Sequence, residues 1–173
     1  TPPMSLCNQM PSALQRTCTI TCETYSGTSL IGSSTTTMEL IVPKNVQLEP
    51  QAGCAVVSPY NVGTRAEAIA AFVQGYSKAE LTIDASKIST ANSYGATPKS
   101  YRVSFDGVSI DAAPYRTGLL TTAGTKRITL YVTDTRDRTT SITVDFTVHS
   151  YSGPTMSGIS IFRCLQNGTA NEE

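Results

Sequence analysis

The sequence predicts an all-β protein built from tandem antiparallel β-sandwich modules, with one short helix in a connector. Three observations predict this class: apolar and polar residues alternate in several short runs, turn residues separate the runs, and the composition suits pleated surfaces. Hydrophobic residues make up 39% and charged residues 15% of the 173 residues, with no Trp. Thr and Ser occur throughout, and Thr favours half-buried strands over helices.

The clearest alternation lies in residues 124–151. Ile128, Leu130 and Val132 alternate with more polar neighbours, and residues 142–148 repeat the pattern after a charged turn from Asp134 to Arg138. A period of two places one apolar and one polar face on each strand, so the segment is predicted to form a hairpin. Two half-buried strands are not stable alone, and we expect a second sheet to cover their apolar face.

The residues before this hairpin supply further short strands. We predict strands at Ser77 to Ala85, Lys99 to Phe105 and Arg116 to Thr121, each bounded by Gly or Pro. Either of two apolar pieces, residues 46–48 or 55–57, is a candidate for the first strand. Short strands at this spacing are typical of a sandwich of about 100 residues, so we place one complete domain at residues 44–152.

The connector in this domain contains the one helical pattern. Thr64 is a plausible N-cap, Glu67 stands three positions later as in a capping box, and Gly75 closes the segment. A short helix is therefore predicted over Thr64 to Phe72.

Residues 1–43 are predicted to be the C-terminal part of a first module. Strands at Thr17 to Tyr25 and Thr35 to Val42 are joined through a turn at Ser26-Gly27, with Cys18, Ile20 and Cys22 facing inward. About forty residues with one apolar face are too few for a self-sufficient core, so this face is expected to pack on a missing segment or a neighbour. The isolated chain is accordingly expected to oligomerise or aggregate.

Residues 153–173 are predicted to begin a following module or tail, with a strand at Ile159 to Cys164. Thr1 is not a start residue, so we expect the chain to be an excerpt or a processed product. No apolar run is long enough to span a membrane and no signal peptide is recognisable.

The cysteines are expected to be reduced. The chain has five, an odd number, at positions 7, 18, 22, 54 and 164. Cys18 and Cys22 lie on one predicted strand roughly 13 Å apart, too far to bridge each other. We expect small core hydrophobes in a protein assembled in a cytoplasm.

The formal net charge of +0 offers no basic field for nucleic acid or an anionic membrane, and neither partner is predicted.

Catalytic, cofactor-binding and metal-ligating residues are not predicted. His149 continues the last strand on its polar face and is interpreted as a solvated residue, not a base. The acidic candidates for calcium are interleaved with Arg136 and Arg138 or isolated, and we interpret their loop as charged and solvated; they are Asp106, Asp111, Asp134, Asp137 and Asp145. Tyr131 faces away from its strand's apolar set, so either a packing contact or a glycan-binding surface is open to it.

Several segments resemble a known family. VQGYSKAELTID (residues 73–84), SYRVSFDGVSID (residues 100–111), TDTRDRT (residues 133–139) and the YSGP ending followed by IFRC resemble the Ig-like repeats of siphovirus tail proteins, minor structural proteins of phages of Gram-positive hosts. The opening TPPMSLCNQMP and the stretch ITCETYSGTSLIG are similar to the second half of a preceding repeat. The resemblance covers most of the chain and is weakest over residues 44–72.

The resemblance implies a virion component of tandem Ig-like sandwiches that spaces or presents host-contacting parts, in the distal tail or a tail fibre. The implied partners are other tail proteins or copies of the same chain, and the implied localisation is the virion, after assembly in the host cytoplasm. An alternative is a carbohydrate-binding module for host cell-wall glycans. A third class, a cell-wall hydrolase, lacks a predicted pair of catalytic carboxylates, and no enzymatic activity is predicted.

Overall fold

The structure is a computed structural model that describes residues 3–63 and 69–158. Within these ranges the chain forms twelve strands and two short 3-10 helices. The strands are β1 (Gln15–Ser26), β2 (Ser29–Ile41), β3 (Glu49–Pro50), β4 (Ala55–Asn61), β5 (Phe72–Val73), β6 (Ser77–Ile83), β7 (Ile88–Ser89), β8 (Pro98–Phe105), β9 (Val108–Ile110), β10 (Tyr115–Arg116), β11 (Gly124–Asp134) and β12 (Thr139–His149). The 3-10 helices span Met4–Gln9 and Ala85–Lys87. The all-β prediction is confirmed.

Two packed sheets form the main body. The larger has the order β5-β12-β11-β8-β9, and the smaller has the order β10-β6-β4. The predicted hairpin of β11 and β12 lies at the centre of the larger sheet, where Leu130 is opposite Ile142 and Val103. Among the described strands, the one parallel pair is β5 with β12.

The core confirms the predicted second sheet. Ile128, Leu130 and Val132 are fully buried and pack in one cluster with Ala79 and Leu81 of the smaller sheet. The alternate residues of β11 and β12 lie on the outer face, because successive side chains of a strand point to opposite sides.

The connector differs from its prediction. Residues 64–68 of the predicted helix lie outside the described ranges, but Ile69 and Ala70 are not helical and Phe72 belongs to strand β5. The Phe72 ring packs 4.5 Å from that of Phe146, measured between centroids. Burial of this ring against the larger sheet outweighs the weak helical preference of the alanines before it.

Two further predictions need correction in extent. The strand predicted over Arg116 to Thr121 is only Tyr115–Arg116, because Thr117 then turns its hydroxyl to accept a hydrogen bond from the backbone N–H of Ala79. Of the two candidate first strands, residues 55–57 open β4, whereas Val46 and Leu48 are buried but not in a strand. The strand predicted at Ile159 to Cys164 lies outside the described residues.

The strands β1 and β2 form a separate two-stranded hairpin with a turn at Gly27. Both predicted strands are present, although β2 begins at Ser29 and not at Thr35. The inward placement of Ile20 and Cys22 is wrong. Ile20 is 45% exposed and Cys22 is exposed, because no described strand lies over this face. Only the base of the hairpin is covered, where Leu40 packs against Val42, Val46 and the 3-10 helix residue Cys7.

The four cysteines in the described ranges are free thiols, as predicted. Cys7 and Cys54 are buried, but Cys18 is half-buried and Cys22 is exposed, so the predicted role of a core residue is wrong for Cys22. Burial raises the pKa of the Cys54 thiol, and the nearby Asp84 carboxylate raises it further.

We therefore expect iodoacetamide at neutral pH to label Cys22 in the native chain and to spare Cys7 and Cys54 until the chain is unfolded. Peptide mass mapping before and after urea treatment measures this. Labelling of Cys54 at the rate of Cys22 in the native chain would contradict the described core.

Candidate assembly site

The turn between β11 and β12 joins the N-terminal segment to the sandwich. It was expected to be a solvated charged loop, and this prediction is wrong: Asp134 is 1% and Arg136 is 2% exposed. The carboxylate Oδ1 of Asp134 accepts hydrogen bonds from the backbone N–H groups of Arg136 and Arg138, at 2.8 and 2.9 Å. The side chain of Asp134, the first residue of the turn, therefore stabilises the turn. The side chains of both arginines extend from the turn toward the N-terminal segment.

Arg136 binds backbone carbonyls of two distant segments. Its guanidinium donates to the carbonyl oxygens of Met10 at 2.7 Å and Cys7 at 2.9 Å. It also donates to the carbonyl oxygens of Tyr94, at 2.7 Å, and of Ser93. Since an arginine has five N–H donors in a planar fork, one side chain can fix both segments in a single orientation.

Arg138 performs the same role at the base of the β1–β2 hairpin. It donates to the carbonyl oxygens of Val42 at 2.7 Å, Val46 at 2.6 Å and Pro43. These residues connect the hairpin to the sandwich, so the connection is held by hydrogen bonds instead of swinging freely. We call Asp134, Arg136, Arg138 and the carbonyls they bind the arginine joint.

The electrostatics of the arginine joint depend on burial. Desolvation lowers the pKa of the Arg136 guanidinium, and the neighbouring Asp134 carboxylate partly opposes this effect. A guanidinium stays protonated under all ordinary conditions, so the joint contains a buried cation compensated by carbonyl dipoles and one carboxylate. Removing the cation would take away the donor that binds the carbonyl oxygens of Met10 and Tyr94, whereas those of Cys7 and Ser93 would keep a backbone N–H donor.

The outer face of the larger sheet is polar and internally paired. The Arg102 guanidinium lies 4.1 Å from the ring centroid of Tyr131, and Arg127 forms two hydrogen bonds with Asp145, at 2.7 and 2.9 Å. Tyr131 is therefore half-buried with an arginine stacked on it, which favours the packing interpretation of this residue over a sugar platform.

The hydrogen bonds from Arg127 hold the pKa of Asp145 below its usual value. The ionised carboxylate therefore stabilises the fold above the unfolded-state pKa of about 3.9. We expect this stabilisation to disappear as the pH falls through the lower, folded pKa. Carbon-detected NMR titration of Asp145 measures the shift, and Arg127→Met should return its pKa toward the usual value; an unchanged pKa in that variant would contradict the ion pair.

The other candidate residues do not converge. His149 is exposed at the end of β12, as predicted. Asp137 is paired with Lys99 at the surface, whereas Asp134 is in the arginine joint. Within residues 3–63 and 69–158, no group of three or more His, Cys, Asp or Glu is arranged to hold a metal ion.

A shallow cleft of about 400 Å³ lies at the edge of the smaller sheet. Its lining includes Tyr101, Pro114 and Tyr115, with Glu80 and Ile83. Burial raises the pKa of Tyr101, and the neighbouring Tyr115 adds to the effect. Sequence reasoning missed this cleft because its two tyrosines come from strands of different sheets.

The fold and these surfaces define an all-β protein in which two arginines of one turn join the N-terminal segment to the sandwich. No helix in the described ranges combines the length and the apolar character that crossing a bilayer requires.

The chain belongs to the family described as Siphovirus protein of unknown function (DUF859), whose model matches residues 1–169. Neither the curated proteins nor the solved structures compared with the chain contain a match. The predicted siphovirus origin is confirmed, and this is a viral protein; its Ig-like repeats and its place in the tail stay predictions.

Proposed function

We propose that this chain is a non-enzymatic structural and adhesion module of a bacteriophage tail, in the distal tail or a tail fibre, that spaces or presents host-contacting parts. Membership of a siphovirus family supports this role. A two-sheet sandwich suits this role as well, and in our proposal it is one Ig-like module in a tandem series.

The observation that carries the proposal is the position of the two chain connections. The chain enters the sandwich through Pro43 to Val46, which Arg138 binds at the β11–β12 turn. It leaves after His149, at the other end of β12, where the Tyr151 ring packs edge-on 5.0 Å from Tyr76. The 11 residues of β12 separate these ends by about 36 Å. Modules connected end to end in this way extend a structure along one axis.

The arginine joint adds stiffness to this arrangement. A spacer transmits position only when its connections do not pivot, and interdomain motion is the default when few contacts cross a boundary. Five hydrogen bonds from Arg136 and Arg138 reach the N-terminal segment and its connection to the sandwich. The partners in our proposal are other tail proteins or further copies of this chain, within the virion.

We propose no enzymatic activity for the chain, because charged side chains of the sandwich are paired with one another. Arg116 pairs with Glu80 and stacks on the Tyr60 ring, 3.6 Å from its centroid. A catalytic carboxylate needs access to substrate, whereas these side chains already bind one another.

Immunogold electron microscopy of purified virions tests the tail role. Antibodies raised against the full chain are expected to label the distal tail, and capsid antibodies provide the control for labelling position. Label on the capsid, or on no part of an intact virion or of a detergent-opened virion, would refute the proposal.

A second candidate function, binding of cell-wall glycans, is favoured by the Tyr101–Tyr115 cleft. The two tyrosine rings provide an apolar surface on which a neutral sugar can pack, and tyrosine hydroxyl groups can form hydrogen bonds with it. Titration with solubilised host-wall polysaccharide should show binding that Tyr115→Ala weakens at least tenfold, whereas Tyr131→Ala should leave it unchanged. Equal affinities of Tyr115→Ala and the parent chain for the polysaccharide would show that the cleft does not bind the sugar.

A further inference from the structure

The edge strands of the sandwich are short or contain proline, although β5 covers only Val148 and His149 of the longer strand β12. The edge strands β5, β9 and β10 have two or three residues each, and the remaining edge strand, β4, contains Pro59. Short strands and proline are common means of preventing edge-to-edge pairing with other chains.

The β1–β2 hairpin is different. Strand β1 has 12 residues, contains no Pro, carries charges only at Arg16 and Glu23 toward its ends, and has no described strand along its outer side. Every residue of β1 except Cys18 is exposed. Strand β2 is interrupted by a bulge at Ile31, which the register with β1 skips. The outer side of β1, which we call the β1 edge, is therefore long, continuous and unprotected.

One face of β1 is apolar at its centre. Cys18, Ile20 and Cys22 lie on the same face, and Met38 of β2 is directly opposite Cys18. A two-stranded hairpin is only marginally stable in water, and three or more strands with an apolar face are normally needed. A strand from another chain or segment would complete such a sheet.

We propose that the β1 edge pairs in antiparallel orientation with the β1 edge of a second copy, across a two-fold axis at Ile20. In this register Ile20 is opposite Ile20 of the second copy, and Cys18 is opposite Cys22 of the second copy, twice. This pairing is one form of the assembly role proposed above, and its biological meaning rests on that role. The register of the two strands is argued from the side chains of β1 alone.

The register follows from the side chains. Opposed residues in an antiparallel pair point to the same face, so the two-fold axis permits only shifts by two residues. A shift in one direction places Cys22 opposite Arg16, and a shift in the other places Cys18 opposite Thr24. Only the axis at Ile20 gives each of the three apolar residues an apolar partner.

The polar residues fit the same register. Thr19 is opposite Thr21, Thr17 is opposite Glu23, and Arg16 is opposite Thr24, so no like charges meet directly. Cross-strand threonine pairs are favourable. Because β1 is complementary to itself in this register, β1 of a second copy can pair with it and no different partner is needed. The two hairpins then form one four-stranded sheet with closed two-fold symmetry.

Cysteine cross-linking tests the register in the full chain, with Cys164→Ser in every variant. Directly opposite residues have Cβ atoms about 4.5–5.5 Å apart, close enough for a disulfide after small adjustments. Copper phenanthroline with dissolved oxygen accepts the two electrons and two protons that two thiols release. We expect a covalent dimer of the parent chain on a non-reducing gel.

The decisive comparison uses two single variants. Cys18→Ser and Cys22→Ser should each lose the covalent dimer, because every predicted disulfide needs one residue of each kind. Mixing the two variants should restore a cross-linked dimer, with one disulfide between Cys18 of one copy and Cys22 of the other. A dimer that persists in Cys18→Ser alone would reveal random contacts of the exposed Cys22 and would overturn the register.

Sedimentation equilibrium tests pairing without oxidation. The parent chain should form a reversible dimer, and Ile20→Lys should weaken it at least tenfold while its circular dichroism is unchanged. Val108→Lys, at a 67% exposed site on sandwich strand β9, is the matched control and should dimerise like the parent. A monomeric or trimeric parent, or equal loss in both variants, would overturn the proposal, whereas the virion labelling described above would be unaffected.

Discussion

Arg136→Met is expected to lower the free energy of unfolding by about 3 kcal/mol, and the melting temperature by about 6–12 °C. Methionine preserves much of the side-chain volume but donates no hydrogen bonds. The carbonyl oxygens of Cys7, Met10, Ser93 and Tyr94 then lose a common donor in a buried site. Urea unfolding followed by circular dichroism measures the change.

Arg127→Met is the matched control, because Arg127 belongs to the same hairpin but forms its ion pair at the surface, with 66% of its side chain exposed. Exposed ion pairs contribute about 0–1 kcal/mol. Equal destabilisation by the two substitutions would contradict the special role of the arginine joint. A variant of Arg136 that is as stable as the parent would do so as well.

Leu130→Ala is expected to cost about 3 kcal/mol, the second large effect. Leu130 is fully buried at the centre of the larger sheet and packs in the cluster that contains Leu81 of the smaller sheet. Truncation leaves a cavity between the two layers that neighbouring strands cannot close. Urea unfolding again measures the change in free energy.

Thr143→Ala provides the comparison on the other face of the same hairpin. Thr143 is exposed on β12, opposite Thr129, so its truncation should change stability by less than about 0.5 kcal/mol. Similar costs at the two positions would argue against a two-layered core beneath this hairpin.

The strongest signal in the sequence was the alternation of apolar and polar residues along single strands, and the strands that it predicted are present in the structure. Alternation in residues 128–132 and 142–148 predicted both central strands and the face that each one buries. Helix prediction at residues 64–72 depended on weak alanine propensities, and the burial of Phe72 beside Phe146 prevailed where the structure describes that segment.

The arginine joint could not be predicted in the same way. In sequence, TDTRDR has the composition of a solvated loop, and Arg136 lies 126 residues from Met10 and 43 from Ser93 along the chain. A guanidinium that binds backbone carbonyls selects no particular side chains, so no pattern of residue types marks its partners. A closed turn with an aspartate at its first position is the one local hint, through the Asp134 hydrogen bonds.

The sequence by itself determined the central strands β11 and β12, the faces that they bury and the siphovirus resemblance, because side-chain alternation acts between neighbours on one strand. Only the tertiary structure decided that the charged turn is buried, that Ile20 and Cys22 are exposed and that Tyr101 meets Tyr115. These features depend on which distant segments pack against each other. A residue is buried or exposed according to whether another segment covers it, and the packing of the whole sandwich determines which residues are covered.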